Sequence, residues 1–171
     1  MSSISATDHL LDWLRDAHAM EQQAEKMLQG MAQRLEHYDE LRERIEQHIE
    51  ETRGQQLLLK GCIDRLGSST SLIKDITAKI TAFGQSLSGM PVSDEVIKGA
   101  MSSYVFEHME IAAYTVLISA AREVGDVETE RVCEQILPQE VAMAEWLRDH
   151  LPQLTHIFLA RATADNKAAK R

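Results

Sequence analysis

The sequence is poor in the residues that interrupt helices and in those that favour sheets. Only three of its 171 residues are proline, and the first of them is Pro91. Aromatic residues make up 5% of the chain, whereas apolar residues of all kinds make up 44%. A long stretch without proline is consistent with long helices. Few aromatics beside many Ala, Leu, Ile and Met residues favour an all-α fold.

Cysteine and positive charge are also scarce, and each shortage excludes a class of protein. Cys62 and Cys133 are too few for a disulfide framework or a thiolate metal site, so we expect two buried free thiols. The net charge of −9 argues against nucleic acid as a main partner, because phosphate binding needs a basic face. The short basic end of the chain, residues 163–171, is expected to be a flexible tail.

Long apolar runs are absent as well. A membrane span needs about 18 consecutive apolar residues, and no stretch of this chain approaches that length. Asp8, Asp12 and Arg15 interrupt the first apolar stretch, which argues against a secretory leader. We therefore expect a soluble cytoplasmic protein with a single domain over residues 1–162.

Apolar side chains recur at alternating spacings of three and four residues, which is the period of a helix with one buried face. Ser5 or Thr7 can cap the first helix, which is predicted to end near His37. The helices predicted after it cover residues 39–66, 71–88, 93–124, 127–150 and 153–162. Pro138 is expected to kink the last long helix, and Pro152 is expected to end it.

Four of these helices are long, and short connections join them as two hairpins. Asp39 can cap the second helix, and Gly125 separates the last two long helices. The segment 67–92, with its short helix, connects the hairpins, and Ser93 can cap the helix that follows. One long crossover between two hairpins is the connectivity of a ferritin-like four-helix bundle.

The most informative residues are polar side chains at positions where the pattern places apolar ones. Glu21 interrupts the apolar stripe of the first helix, and Glu140 interrupts that of the last long helix. On the second helix His48 falls on the stripe, with Glu51 one turn further along at its shoulder. Each lies near the middle of its helix, so an antiparallel bundle brings them to one level.

The helix predicted over 93–124 carries the sharpest signal. Between Tyr104 and Tyr114 every residue is apolar or aromatic except Glu107, His108 and Glu110. A helix that is apolar nearly all round is buried on most sides, and two buried carboxylates side by side are very costly. Since few basic residues fall on these faces, bound metal is the simplest solution. An oxygen-rich site with an imidazole suits iron or manganese.

Each of these residues also has an ordinary interpretation. A single histidine on a helix stripe is usually a hydrogen-bonded core residue, Glu21 can pair with His18, and methionines commonly fill cores. Tyr104 and Tyr114 are expected to pack with satisfied hydroxyls, and one of them could donate to a ligating carboxylate. The polar residues on four helices are predicted to lie at one level of the bundle, and this coincidence favours the metal site.

Four stretches of the sequence together resemble one known family. They are Asp12–Glu21, His48–Thr52, Ser93–Gly99 and Tyr104–Tyr114. In this combination the chain resembles the YciE/YciF-like stress proteins of the ferritin-like superfamily, most closely the YciE branch. The resemblance implies a dimeric bundle with a rubrerythrin-like centre of two metal ions, iron before manganese, and a link to bacterial stress. The ligands that it implies are Glu21, His48, Glu51, Glu107, Glu110 and Glu140.

The ligand pattern departs from the usual one in two places. Typical ferritin-like sites carry Glu-x-x-His on two helices. Here the second helix has His48-x-x-Glu51, in the reverse order, and the last long helix has Glu140-x-x-Met143. His18 or His108 could substitute as a ligand.

Two functions therefore compete. The first is a di-iron or di-manganese protein with oxidase, peroxidase or iron-handling chemistry. The second is a non-catalytic dimer that acts as a stress-linked scaffold with a vestigial site, and whose interface is formed by residues 71–88 and the C-terminal segment. An enzyme that uses serine or cysteine is not expected, because no glycine-rich phosphate loop, nucleophile elbow or Cys-x-x-Cys is present.

Overall fold

The computed structural model describes residues 5–67 and 94–164, which form four long α-helices. In chain order they are α1 (Ala6–Ala32), α2 (Asp39–Arg65), α3 (Glu95–Val124) and α4 (Val127–Ala164). These two ranges contain no β-strand, so the all-α prediction is confirmed. The predicted helix over 71–88 and the cap at Ser93 lie outside the described residues, as do residues 165–171 of the expected tail.

A capping box fixes the start of α1. The Ser5 hydroxyl accepts a hydrogen bond from the Asp8 backbone N–H at 3.1 Å, and the Asp8 carboxylate accepts one from the Ser5 N–H at 2.8 Å. The carboxylate also lies at the positively polarised end of the helix, which stabilises it further. Of the two caps that the sequence left open, the structure therefore uses Ser5 and not Thr7.

The connection between α1 and α2 starts earlier than predicted. α1 ends at Ala32, before the predicted end near His37, yet Leu35 and Tyr38 are buried. Apolar side chains of a connection can fill a core as those of a helix do, which is why the apolar stripe runs past the helix end. Asp39 is the first residue of α2 and not its cap, and there its charge suits the helix N-terminus.

A tight turn joins α3 to α4. Gly125 has a φ of 76°, in the left-handed region that glycine adopts without steric cost. The N–H groups of Gly125 and Asp126 donate to the carbonyls of Arg122 at 3.2 Å and Ala121 at 2.8 Å, which closes the last turn of α3. The predicted end of this helix at Gly125 is confirmed.

α4 continues through both of its prolines. The predicted break at Pro152 is wrong, because the helix runs to Ala164, so the segment 153–162 is the last part of α4. Proline removes one backbone donor from a helix, but packing offsets that loss here. Leu154 is buried beyond the proline, and Ile157 and Phe158 pack against the same apolar cluster.

The four helices form a square in which each packs mainly against two neighbours. α1 contacts α2 and α3, and α4 contacts the same two helices. Arg34 pairs with Glu95 just after the end of α1, and Arg65 Nη2 donates to Asp126 Oδ1 at 2.7 Å at the end of α2. These pairs place the end of α2 and the start of α3 at opposite ends of the bundle. This is the predicted ferritin-like connectivity.

A polar layer divides the apolar core into two clusters. The cluster nearer the start of α1 includes Leu10, Leu14, Leu117, Cys133 and Ile136. The cluster nearer the end of α1 includes Leu28, Leu41, Ala100, Met143 and Leu147. Between them lie the buried polar residues Glu21, His48, Thr52, Gln55, Glu107, Glu110 and Glu140. The acidic side chains thus meet in the interior, as their positions along the helices predict.

Cys62 and Cys133 are buried free thiols, as predicted, and burial raises the pKa of the Cys133 thiol to about 12. Within the described residues, none of the helices has both the length and the apolar character of a membrane span.

Candidate metal centre

Four buried side chains from three helices converge in the polar layer. His48 comes from α2, Glu107 and Glu110 from α3, and Glu140 from α4. One nitrogen or oxygen atom of each lies within 4.8 Å of that of every other, and none of the four is more than 1% exposed. Ligands on opposite sides of one cation, each about 2.1–2.4 Å from it, lie about 4–5 Å apart. We call these four residues the carboxylate cluster.

His48 lies between the other members of the carboxylate cluster and the bundle surface. Its Nδ1 is 2.7 Å from Oε2 of Glu51, so Glu51 directs the opposite ring nitrogen inwards. Nε2 lies 3.2 Å from Oε2 of Glu107 and 3.4 Å from Oε2 of Glu140, without the alignment of a hydrogen bond. Burial lowers the pKa of His48, but the three neighbouring carboxylates outweigh burial and hold the pKa well above its usual value.

Glu51 reaches the rim of the bundle, where its side chain is 20% exposed. Besides the bond to His48, it accepts hydrogen bonds from Arg44 Nη1 at 3.3 Å and Gln47 Nε2 at 2.8 Å. Burial raises the pKa of Glu51, but the hydrogen bond from His48 and the charge of Arg44 outweigh burial and lower it. The structure thus places this predicted ligand outside the carboxylate cluster, in contact with His48.

Glu21 lies in the same layer on α1 and is fully buried. Its Oε1 accepts a hydrogen bond from the Tyr114 hydroxyl on α3, which is the donor role predicted for one of two tyrosines. Burial and the charge of Glu140 raise the pKa of Glu21 well above its usual value, and the Tyr114 bond offsets only part of this. Glu21 is therefore a neighbour of the carboxylate cluster and not one of its four members.

Two neutral residues of α2 complete the layer. Thr52 and Gln55 follow His48 by one and two turns and are buried. The Gln55 amide donates to Oε1 of Gln139 at 2.9 Å and to Oε1 of Glu140. Neither Thr52 nor Gln55 was predicted as a site residue, because neutral polar side chains on a helix stripe are common in cores and give no distinct signal.

Burial dominates the electrostatics of the acidic residues on α3. It raises the pKa of Glu107 to about 7. It also raises the pKa of Glu110 well above its usual value, with the charges of Glu21 and Glu140 adding to the effect. Protons must therefore occupy part of the carboxylate cluster at neutral pH unless a cation replaces them, since a cation stabilises the ionised form.

Seven side-chain atoms of this layer have no hydrogen-bond partner among the residues that the structure describes. Two are Oγ1 of Thr52 and Oε1 of Gln55, and the other five belong to charged or titratable groups. These five are Nε2 of His48, Oε2 of Glu21, Oε2 of Glu107, Oε1 of Glu110 and Oε2 of Glu140. Buried polar atoms are nearly always satisfied, so this group of unpartnered carboxylate and imidazole atoms indicates a cation site. Four carboxylate oxygens and one imidazole nitrogen suit iron or manganese. The residues present therefore fit the metal that the fold implies.

The histidines considered as substitute ligands lie elsewhere. His108 is exposed, and its ring packs edge-on against Tyr104 with 4.6 Å between centroids. His18 is half-buried, and burial together with the charge of Lys60 lowers its pKa. Neither belongs to the carboxylate cluster. Met143, three residues after Glu140, is buried in the apolar cluster near the end of α1.

Comparison with known proteins gives matches over nearly the whole chain. The profile of a family described as "Domain of unknown function (DUF892)" matches residues 5–160. A solved structure from Xanthomonas campestris is 42% identical, with a TM-score of 0.79, over 93% of this chain and 99% of its own. YcfI from Rhodopseudomonas palustris is 28% identical, with a TM-score of 0.69, over 84% and 93% of the two chains. The stress protein YciF from E. coli is 20% identical, with a TM-score of 0.73 over 87% and 96%, which shows a shared fold.

Proposed function

The chain belongs to the DUF892 family, and from its carboxylate cluster we propose that it is a metal-binding bundle protein. The family match and the structural neighbours confirm the resemblance to YciE/YciF-like proteins, while the closer relation to the YciE branch stays a prediction. The observation that carries the proposal is a buried layer of side-chain atoms without hydrogen-bond partners among the described residues, five of which belong to His48 and the four buried glutamates. Such atoms are strongly destabilising unless a cation or shared protons satisfy them.

The metal would be held by the carboxylate cluster, which consists of His48, Glu107, Glu110 and Glu140. Oε2 of Glu21 is a further possible ligand atom beside them. Iron is the first expectation and manganese the second, because both accept carboxylate and imidazole ligands. The family resemblance implies two ions, and that number stays a prediction. When bound, such ions supply one-electron chemistry towards oxygen or peroxide, the basis of an oxidase, a peroxidase or an iron-handling protein.

The chain's own residues prepare the centre. Glu51 holds Nδ1 of His48 and so directs Nε2 at the carboxylates. Tyr114 holds one oxygen of Glu21 and leaves the other oxygen facing the layer. The apolar clusters on both sides exclude water, so charges in the layer act in a medium of low dielectric constant.

The cellular setting that we propose is a bacterial stress response. Its support is the shared fold with YciF, which is described as a stress protein of E. coli. Fold alone does not fix an activity, so the reaction has to be read from the metal centre.

Metal analysis of the purified full-length chain tests the proposal. Protein prepared with iron or manganese salts is expected to retain metal stoichiometrically after desalting. The double variant Glu107→Gln with Glu110→Gln should retain none, because it removes two ligand charges and keeps the side-chain volume. Glu50→Gln is the matched control, since Glu50 lies on α2 with a side chain that is 69% exposed. A folded wild-type protein that retains no metal would refute the proposal.

A surface feature favours a second function, assembly into a homodimer. Trp13 on α1 and Val116 on α3 are 42% and 49% exposed. Both line two adjoining grooves of about 400 and about 490 Å³, and the first of these is lined almost entirely by apolar residues. Exposed apolar surface of this kind marks protein contact sites. We propose this face as a dimer interface; the interface predicted from residues 71–88 and the C-terminal segment stays a prediction.

The scaffold alternative keeps the dimer and makes the metal centre vestigial. The Glu107→Gln, Glu110→Gln variant separates the two functions. If the protein is a scaffold, this variant should still dimerise and still protect cells from stress. If the metal centre is the functional part, protection should be lost although the dimer persists.

A further inference from the structure

The two hairpins contribute unequally to the metal centre. The α3–α4 hairpin supplies three carboxylates to the cluster, whereas the α1–α2 hairpin supplies only His48. Glu21 adds one further carboxylate from α1, beside the cluster. A bundle that holds two ions places a glutamate on each of two helices and a Glu-x-x-His pair on each of the other two. Measured against that set, α4 lacks the histidine, and α2 contributes His48 to the cluster without a glutamate beside it.

On α2, two neutral side chains stand where a Glu-x-x-His pair would be expected. Thr52 and Gln55 stand three residues apart, both buried, and Gln55 donates directly to Glu140. This is the spacing of Glu-x-x-His, with a hydroxyl and an amide at its two ligand positions. Neither side chain carries charge or an imidazole nitrogen, so neither supplies the carboxylate or the imidazole of that pair, although Oγ1 of Thr52 and Oε1 of Gln55 also have no hydrogen-bond partner among the described residues.

Neutral donors also hold the second oxygen of two glutamates. The Gln55 amide donates to Oε1 of Glu140, and the Tyr114 hydroxyl donates to Oε1 of Glu21. In both glutamates Oε2 is the oxygen without a hydrogen-bond partner in the described part of the chain. A carboxylate that bridges two ions with one oxygen on each needs both oxygens free. Glu140 and Glu21 are therefore each arranged to offer a single oxygen.

From this asymmetry we propose that each chain binds one metal ion through the carboxylate cluster, and that Thr52 and Gln55 fill the place of a second ion's ligands. The inference rests on the proposed metal-binding function and differs from the two ions that the family resemblance implies. The N–H group of Gln55 already occupies Oε1 of Glu140, which leaves Oε2 of that carboxylate for the ion.

Counting manganese ions tests this inference. The full-length protein is dialysed against Mn²⁺, the bound metal is measured per chain, and the electron paramagnetic resonance spectrum is recorded. Wild type is expected to bind one ion with the spectrum of an isolated Mn²⁺. The double variant Thr52→Glu with Gln55→His restores Glu-x-x-His on α2. It is expected to bind two ions and to show the spectrum of a spin-coupled pair.

A surface variant controls for the added histidine. Leu57→His places an imidazole on the same helix at a position that is 73% exposed, and it should leave the count at one. Wild type with two ions would overturn this inference alone, whereas wild type with none would overturn the proposed function itself. A folded double variant that still binds one ion would also overturn the inference. If that variant fails to fold, the wild-type count and spectrum still decide.

Discussion

His48 and Glu51 stand three residues apart on α2 and share a contact of 2.7 Å between Nδ1 and Oε2. Because Glu51 accepts from Nδ1, the opposite nitrogen Nε2 points at Glu107 and Glu140. A histidine that donates through one ring nitrogen presents the other as a metal ligand in a fixed orientation. Glu51 is 20% exposed while His48 is 1% exposed, so this pair links the carboxylate cluster to the bundle surface.

Replacing Glu51 with glutamine should weaken metal binding without abolishing it. The amide keeps the size of the side chain but removes the charged acceptor from Nδ1 of His48. Loss of such an outer partner typically costs about 10–100-fold in metal affinity. Competition with a chelating dye measures this change. Glu50→Gln, on the exposed side of the same helix, should leave the affinity unchanged. Complete loss of metal in Glu51→Gln would instead support the sequence-based prediction that Glu51 is itself a ligand.

The metal-free protein should become less stable as the pH rises above about 4.5. The pKa of Glu107 is raised from 4.5 to about 7, so the folded state holds its proton over a range in which the unfolded chain has lost it. The pKa values of Glu21, Glu110 and His48 are raised as well, so their contributions have the same sign. Glu107 alone accounts for a decline on the order of 3 kcal/mol, most of it between pH 4.5 and 7.

Urea denaturation in the presence of a chelator, between about pH 5 and about pH 8, measures this decline. The same titration with bound manganese is the comparison. A cation keeps the carboxylates ionised, so the decline should then disappear. A metal-free protein whose free energy of unfolding rises over this range would contradict the burial that the structure assigns to these groups.

Tyr114→Phe should destabilise the bundle by about 1–3 kcal/mol, because it leaves Oε1 of buried Glu21 without its donor. The free energy of unfolding from urea titration is the measurement. Tyr104→Phe, on the same helix, is the control, since that ring packs against His108 near the surface. It should change the stability by less than about 0.5 kcal/mol. Equal effects of the two variants would count against the Tyr114–Glu21 hydrogen bond.

Trp13→Ser should weaken the proposed dimer by at least about tenfold, because aromatic side chains at the centre of an interface carry much of the binding energy. Sedimentation at a series of protein concentrations measures the dissociation constant. Leu57→Ser is the matched control, since Leu57 is an exposed apolar residue of α2 outside both grooves. If both variants dimerise like wild type, the interface lies elsewhere on the bundle.

The helices and the level of the acidic residues were predictable from sequence because both follow from periodicity. Glu21 and Glu140 occupy positions where an apolar side chain would be buried, and the structure buries both. The position of Glu51 was harder to predict. Three residues rotate a helix by about 300°, so Glu51 sits on the shoulder of the stripe, where the neighbouring helices decide its exposure. The structure resolves this by placing it at the rim.

Other features depended on contacts between distant segments. The sequence gives no sign that Gln55 donates to Glu140, 85 positions later, because that contact depends on how α2 packs against α4. The course of α4 past Pro152 depends likewise on Leu154, which is buried in the same cluster as Tyr38 and Leu41. A rule based on proline alone accounts for the lost backbone donor, but it does not account for this long-range packing.

The polar layer also has a consequence for cooperativity. Four continuous helices cross the layer, but apolar packing is interrupted there. The molecule therefore has two hydrophobic cores that are connected through the same helices. Cores that share few contacts unfold locally, each with its own free energy of unfolding. An ion that ties α2, α3 and α4 together at the layer would make the two ends unfold as one unit. In this protein the metal would thus decide whether the bundle melts in a single step or from one end at a time.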